Sequence, residues 1–216
     1  MSEDIINAQY DVEKKSRMKK FYESNKILIY SISSFLILSL IIFAIYFIKI
    51  EKNRILLSDN YIMAKIYLEN DEKSKATDVL KKIILENDPA YSVLSFFLIL
   101  NQNLIQDHKK VLSLFDYILE NNNFDNEVKN LLIYKKAIYN SNFTNEAELL
   151  KNIKPLLNND SLWRPHALLL AGDFFVSKKE YLKAKDFYTQ ILSIKNLEKN
   201  FYDQAFYQLS LIANDR

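Results

Sequence analysis

The sequence predicts an all-α chain: a single N-terminal transmembrane helix followed by an array of helical hairpins. Three observations predict it. The 216 residues contain one uninterrupted apolar run near the N-terminus. After that run, apolar residues recur at steps of three and four, the period of an amphipathic helix. The whole chain has 1 Gly and 3 Pro, too few for the many tight turns of an all-β fold.

The same composition excludes several kinds of chemistry. A phosphate-cradling loop or a dinucleotide fingerprint needs two or three glycines at fixed spacing, and Gly172 is the only one. With 0 Cys there is no disulfide, thiolate metal site or cysteine nucleophile. Only two histidines occur, His108 and His166, so a His-rich metal site is not expected. A net charge of +2 gives no reason to expect nucleic acid as a partner.

Residues 27–48 carry no charge. A helix of this length spans roughly 33 Å at about 1.5 Å per residue, enough to cross a bilayer core. Serines 31, 33, 34 and 39 are tolerated because a hydroxyl can bond its own helix backbone. Tyr30 and Tyr46 stand near the two ends, where interfacial aromatics sit. A cleaved signal would end in small residues, but this run ends Tyr46-Phe47-Ile48-Lys49, so a retained anchor is expected. Before the run come Lys14, Lys15, Arg17, Lys19, Lys20 and Lys26, and soon after it Lys49, Lys52, Arg54 and Lys65. That excess places residues 1–26 in the cytoplasm and residues 49–216 across the membrane, which in a bacterium is the periplasm.

Beyond the span, stripes such as Leu112, Phe115, Ile118, Leu119 and Leu149, Leu150, Ile153, Leu156, Leu157 mark helices. Turn signals separate them: Asn87-Asp88-Pro89, Asn121-Asn122-Asn123, Asn140-Ser141-Asn142 and Asn158-Asn159-Asp160-Ser161. Helices are expected at 51–70, 73–86, 90–105, 108–121, 126–140, 145–158, 164–178, 181–194 and 199–213. Asp88 before Pro89, Asp125, and Asp160 or Ser161 read as helix starts. Pro155 should kink or shorten its helix.

The hairpins carry a repeat. From Gly172, the residues Phe175, Tyr181, Ala184, Tyr188, Ile191 and Leu192 follow at steps of 3, 9, 12, 16, 19 and 20. These are the spacings of a tetratricopeptide repeat, in which small residues let two helices approach while aromatics fill the crevice. Ala64, Tyr67, Ala76, Leu80, Ile83 and Ile84 repeat those steps without the 9. The unit with Val111, Phe115, Ile118 and Leu119 fits its second helix, and the unit around Ala137 and Ala147 is degenerate. Each hairpin needs its neighbours to bury its apolar face.

This order of parts resembles the YfgM-like ancillary subunits of the bacterial Sec translocon, from about residue 10 to the C-terminus. The resemblance is carried further by Ala90-Tyr91-Ser92-Val93-Leu94 and by residues 163–172, where a Trp precedes a helix with a Gly near its middle. It implies a non-enzymatic protein of the inner membrane that sits beside the translocon with a periplasmic chaperone or prolyl isomerase and assists exported proteins. Cytochrome c maturation factors share the layout of one span and tetratricopeptide repeats. A binding subunit of that pathway, or a structural assembly subunit, is therefore the alternative.

No nucleophile–base set emerges from the residues. His108, in Gln106-Asp107-His108-Lys109, reads as a solvated histidine at a helix start. His166 and Asp173 share a helix face two turns apart, too far for a tight pair. The inner face of the first helix of each hairpin forms the expected partner groove. It comprises Tyr61, Lys65 and Leu68, then Val93, Phe96, Leu100 and Asn103, then His166, Leu169, Asp173 and Val176. These are mostly apolar and aromatic, suited to an unfolded or exported segment rather than to an acidic tail, which needs a clamp of Lys, Arg and Asn. Phe96 lies in the run Phe96-Phe97-Leu98-Ile99-Leu100, which reads as core more readily than as groove. Trp163 is expected to staple its helix start to the preceding hairpin.

Overall fold

The computed structural model describes residues 2–157 and 161–214, with side chains between residues 19 and 213 of those spans. The chain divides into two compact units, Met1–Asp59 and Asn60–Arg216. Among the described residues there are nine α-helices, one 3-10 turn and no strand. The side chains of Lys14, Lys15 and Arg17, and all of Asn158, Asn159 and Asp160, lie outside the described residues.

The first helix, α1, runs Ser2–Glu69 with a break at Asn25, where φ is -117° and ψ 17°. The break has a side-chain cause. Asn25 Nδ2 donates to the Phe21 carbonyl at 3.0 Å, and Ser24 Oγ donates to the same carbonyl at 3.1 Å. Both compete with the backbone for an acceptor of the helical ladder. The Tyr22 and Tyr30 hydroxyls bond each other at 2.7 Å on either side of that break. Residues 27–48 begin just after it, and none of them is buried. The core helix of a soluble protein hides its apolar side chains; this one exposes them, and it is long and apolar enough to cross a membrane.

In the second unit, seven helices follow in α2 (Lys73–Leu85), α3 (Tyr91–Asn101), α4 (His108–Asn121), α5 (Asn126–Ser141), α6 (Glu146–Ile153), α7 (Arg164–Ser177) and α8 (Tyr181–Leu192). An eighth, α9 (Lys199–Asn214), completes the series. Each packs on its chain neighbour, and α5 also touches α7. The starts of α4, α5 and α6 are fixed by side-chain caps. Asp107 accepts from the Lys109 and Lys110 amides at 3.0 and 3.2 Å, Asp125 from Val128 at 2.8 Å, and Asn145 from Glu148 at 3.0 Å. Each such cap is worth about 1 kcal/mol. Asp88 accepts from the Ala90 and Tyr91 amides, both at 2.9 Å, so it caps α3 from before Pro89. Ser161, the other expected helix start, accepts from the Trp163 amide at 3.2 Å, one turn ahead of α7.

Two expected helices differ in their ends. The third stops at Asn101 rather than 105, because Asn103 turns left-handed with φ 49°. The sixth gives way at Lys154–Leu157 to a 3-10 turn containing Pro155, which has no amide to continue the α ladder. In the unit read as degenerate, Ala147 is exposed, whereas Ala137 is fully buried.

The turns also explain how the chain manages with one glycine. Asp71, Asn87, Asn103, Lys179 and Asn196 all hold φ between 49° and 60°. Asn and Asp tolerate this region because their short side chains bond locally, but Lys has no such compensation.

The core is continuous from α5 to α9, through Leu149, Ile153, Leu168, Phe175, Tyr188, Ile191 and Ala205. Nearer the N-terminus of the unit, Phe96 of α3 meets Phe115 of α4 edge-to-face at 4.4 Å, and both are fully buried. Ser92 Oγ, also buried, donates to the Ile84 carbonyl at 3.1 Å and ties α3 to the end of α2. At the α7–α8 crossing, a β-carbon on Gly172 would stand 2.4 Å from Tyr188 Cε1. The ring cannot withdraw, since it is fully buried and its hydroxyl donates to Asp173 Oδ1 at 2.6 Å.

Two stability outcomes are expected. Gly172→Ala should lower unfolding free energy by about 1–2 kcal/mol, overpacking outweighing the gain in helix propensity. Lys179→Gly should raise it by about 0.5–1 kcal/mol by removing the left-handed penalty. Urea unfolding followed by circular dichroism measures both.

Candidate functional site

The expected groove residues have distinct environments. Tyr61 is half-buried against the Tyr91 ring at 6.3 Å, Lys65 is exposed and Leu68 is half-buried. Val93 and Phe96 are core residues; Phe96 has no exposed surface and is committed to Phe115. Leu100 is half-buried, and Asn103 belongs to the turn after α3 rather than to a helix face. Leu169 and Val176 are partly buried against the α5–α9 core. Asp173 accepts from the Tyr188 hydroxyl, which burial and this carboxylate together hold protonated far above the ordinary tyrosine range.

The chain forms an open cavity of about 530 Å³ beside the start of α7, lined by His166 of the expected groove but by none of Tyr61, Lys65, Leu68, Val93, Phe96, Leu100, Asn103, Leu169, Asp173 and Val176. Its aromatic members are Trp163, His166 and Phe201. Trp163 lies 5.0 Å from His166, which meets Phe201 edge-to-face at 4.6 Å, ring centre to ring centre. Tyr134 of α5 supports both, 5.6 Å from Trp163 and 5.4 Å from His166. Trp163 Nε1 donates to Glu127 Oε2 at 2.9 Å, which joins the first turn of α5 to the start of α7. Trp163 thus staples α7 to the preceding hairpin and lines an opening as well. Glu127, Glu198, Arg164 and Lys195 bring both signs of charge to the lining.

This cavity suits binding: flat rings take an apolar side chain, and mixed charges around them hold a polar backbone or flanking residues. Its far wall, Ile194 to Phe201, is the α8–α9 turn, and nothing in a local motif announces that turn as a partner of Trp163. The sequence offered two signals, His166, expected on the groove face, and the lone tryptophan, expected as a staple. Burial holds the His166 pKa below the usual histidine value, while the Leu162 carbonyl and the Glu198 carboxylate act in the opposite direction.

His108 is not a solvated cap residue. Its Nε2 donates to Asn140 Oδ1 at 2.9 Å, its ring stacks on Tyr139 at 4.9 Å, and Phe143 lies 4.0 Å away. Asn140, buried, donates in turn to Glu148 Oε1 at 3.3 Å. This chain of bonds links α4, α5 and α6 and accounts for His108 structurally. Among the described residues no group of three His, Asp or Glu is placed to hold a metal.

Compared with protein-family models, with characterised proteins and with solved structures, the chain matches none. The case for a site therefore rests on the cavity itself. Its histidine gives a measurable signature. With its pKa lowered in the folded state, His166 stays neutral down to lower pH than in the unfolded chain. The unfolded state thus takes up its proton first, and stability falls as pH drops below about 6.5. His166→Gln should flatten the stability change between pH 7.5 and pH 5; an unchanged slope in urea unfolding would remove His166 from the buried cluster.

Proposed function

We propose that the chain is a membrane-anchored interaction protein of the bacterial inner membrane, its hairpin domain in the periplasm, acting beside the Sec translocon on exported proteins. The observation that carries this reading is the 22-residue apolar segment, 27–48, none of it buried, on the same chain as a hairpin array. A membrane holds the array at a fixed place, and the array offers surfaces to partners. The tetratricopeptide spacing supports this at the α7–α8 hairpin, where Gly172 and Ala184 are both buried at the crossing. The basic excess before the span supports a cytoplasmic N-terminus. The resemblance to YfgM-like subunits points to the translocon and to a periplasmic chaperone or prolyl isomerase as partners. Client segments with apolar side chains fit the Trp163–His166–Phe201 cavity.

The absence of cysteine makes topology directly testable. Lys179→Cys should react with a membrane-impermeant maleimide in intact cells permeabilised only at the outer membrane. Ser2→Cys should react only after lysis. The reverse pattern puts the hairpins in the cytoplasm and ends the export reading. A photoreactive residue at Leu162, on the cavity and 73% exposed, should then yield adducts with translocon subunits or an exported chain. Adducts with cytochrome maturation proteins alone would transfer the protein to that pathway.

A further inference from the structure

We infer that the helix before Asn25 binds the phosphate headgroups of anionic lipid, with Lys19, Lys20 and Lys26 on the phosphates and Phe21 and Tyr22 at the boundary with the acyl chains. This rests on the anchored reading above and names what the near side of the anchor touches. Charge along the segment is sorted. Residues 14–26 hold six bases, Lys14, Lys15, Arg17, Lys19, Lys20 and Lys26, against one acid, Glu23. Residues 2–13 hold four acids, Glu3, Asp4, Asp11 and Glu13, and no base. Orientation in the membrane does not ask for this sorting, because acids contribute little to it. A negatively charged leaflet does: it favours each base near its surface by about fivefold and repels the acids, which stand at the far end of the segment.

The break at Asn25 decides how many bases reach that surface. In an unbroken helix continuing the span, Lys14 would stand about 20 Å beyond Ile27, at about 1.5 Å per residue. That is more than two Debye lengths of about 8 Å at physiological ionic strength, where attraction to the phosphates is screened away. A bend brings the bases down towards the headgroups. The non-helical φ and ψ of Asn25 supply it, one residue before the last base and two before the span. The bonds from Ser24 Oγ and Asn25 Nδ2 to the Phe21 carbonyl hold it there. Across it the Tyr22 and Tyr30 rings meet edge-to-face at 6.4 Å, tying the helix before the break to the start of the span.

The side chains at the break have the chemistry of a headgroup layer. Lys19, Lys20 and Lys26 are exposed, and among the described residues no carboxylate pairs with them. Phe21 is 65% exposed and Tyr22 42%. Aromatic rings set between lysines suit a helix in the interface: the rings enter the acyl boundary while the ammonium groups reach up to the phosphates. A topology signal needs bases alone, and neither the break nor the rings.

With 0 Cys in the chain, Ser16→Cys takes a single nitroxide label. The full labelled chain is placed in nanodiscs of phosphatidylcholine alone, or of phosphatidylcholine mixed equally with phosphatidylglycerol. The readout is relaxation of the label by membrane-soluble oxygen relative to a water-soluble nickel chelate. That ratio should rise at least about twofold in the anionic discs, and fall back in about 1 M salt, where the Debye length is about 3 Å. Replacing Lys14, Lys15, Arg17, Lys19 and Lys20 by Gln should abolish the rise. So should Ser24→Ala combined with Asn25→Ala, which removes the bend and keeps every charge. Circular dichroism matching the parent chain checks that the variants are folded. Equal ratios in the two lipids overturn the inference, as does a rise that survives either set of substitutions. A rise reversed by inorganic phosphate at constant ionic strength assigns the bases to free phosphate and overturns it too. Equal ratios from a chain that alkaline carbonate leaves in native membranes remove this inference and keep the anchor. Release by carbonate removes the anchored reading, and this inference with it.

Discussion

The hairpin domain depends on how closely two helices approach where α7 crosses α8. That distance is set by the missing side chain at Gly172, which lets the Tyr188 ring lie directly on helix backbone. Burying this ring costs nothing in unsatisfied polarity, because its hydroxyl reaches Asp173 at the edge of the crossing. From there the core extends both ways, to Ala184 and Ile191 on α8 and to Phe174 and Ala171 on α7. The hairpin in turn presents the surface on which α9 lies and the ledge on which His166 and Phe201 meet. The helix start that carries Trp163 and the turn that carries Glu198 are thus held by one close contact between a glycine and a tyrosine.

Much of the fold was legible because it is written in local pattern. The apolar segment is a matter of length and charge, and the hairpins follow from three-and-four periodicity interrupted by Asn-rich turns. Asp88 and Asp125, read as helix starts, are used by the backbone as caps, and Asp107 and Asn145 serve in the same way without having been singled out. The proline in the sixth helix altered the helix where expected. Where the reading departs from the structure, a distant residue decides. The third helix ends early because Asn103 takes up a left-handed turn, a conformation the apolar run before it does not signal. His108 looked like a surface cap residue, since its partner Asn140 lies 32 positions away and across a helix.

The site was legible only in part, for the same reason. Residues on one helix face were assigned to a shared groove from their register. Register does not distinguish a face turned to a neighbour from a face turned to solvent. Phe96 has the chemistry of a binding residue, but Phe115 occupies it fully. The cavity at Trp163 draws on the α5 start, the α7 start and the α8–α9 turn, a combination that exists only after packing. His166, expected in the groove, and Trp163, expected as a staple, both line it, but neither announced its depth or Glu127.

Packing between chain neighbours also governs how the domain forms. When nearly every helix rests on the helix just before it, little of the structure requires distant segments to find each other, and the entropy lost in closing loops is small. Such a chain folds hairpin by hairpin as it is delivered, each new helix landing on one already in place. A chain whose contacts run in this order can therefore acquire its structure in the order of its synthesis, from α2 towards α9.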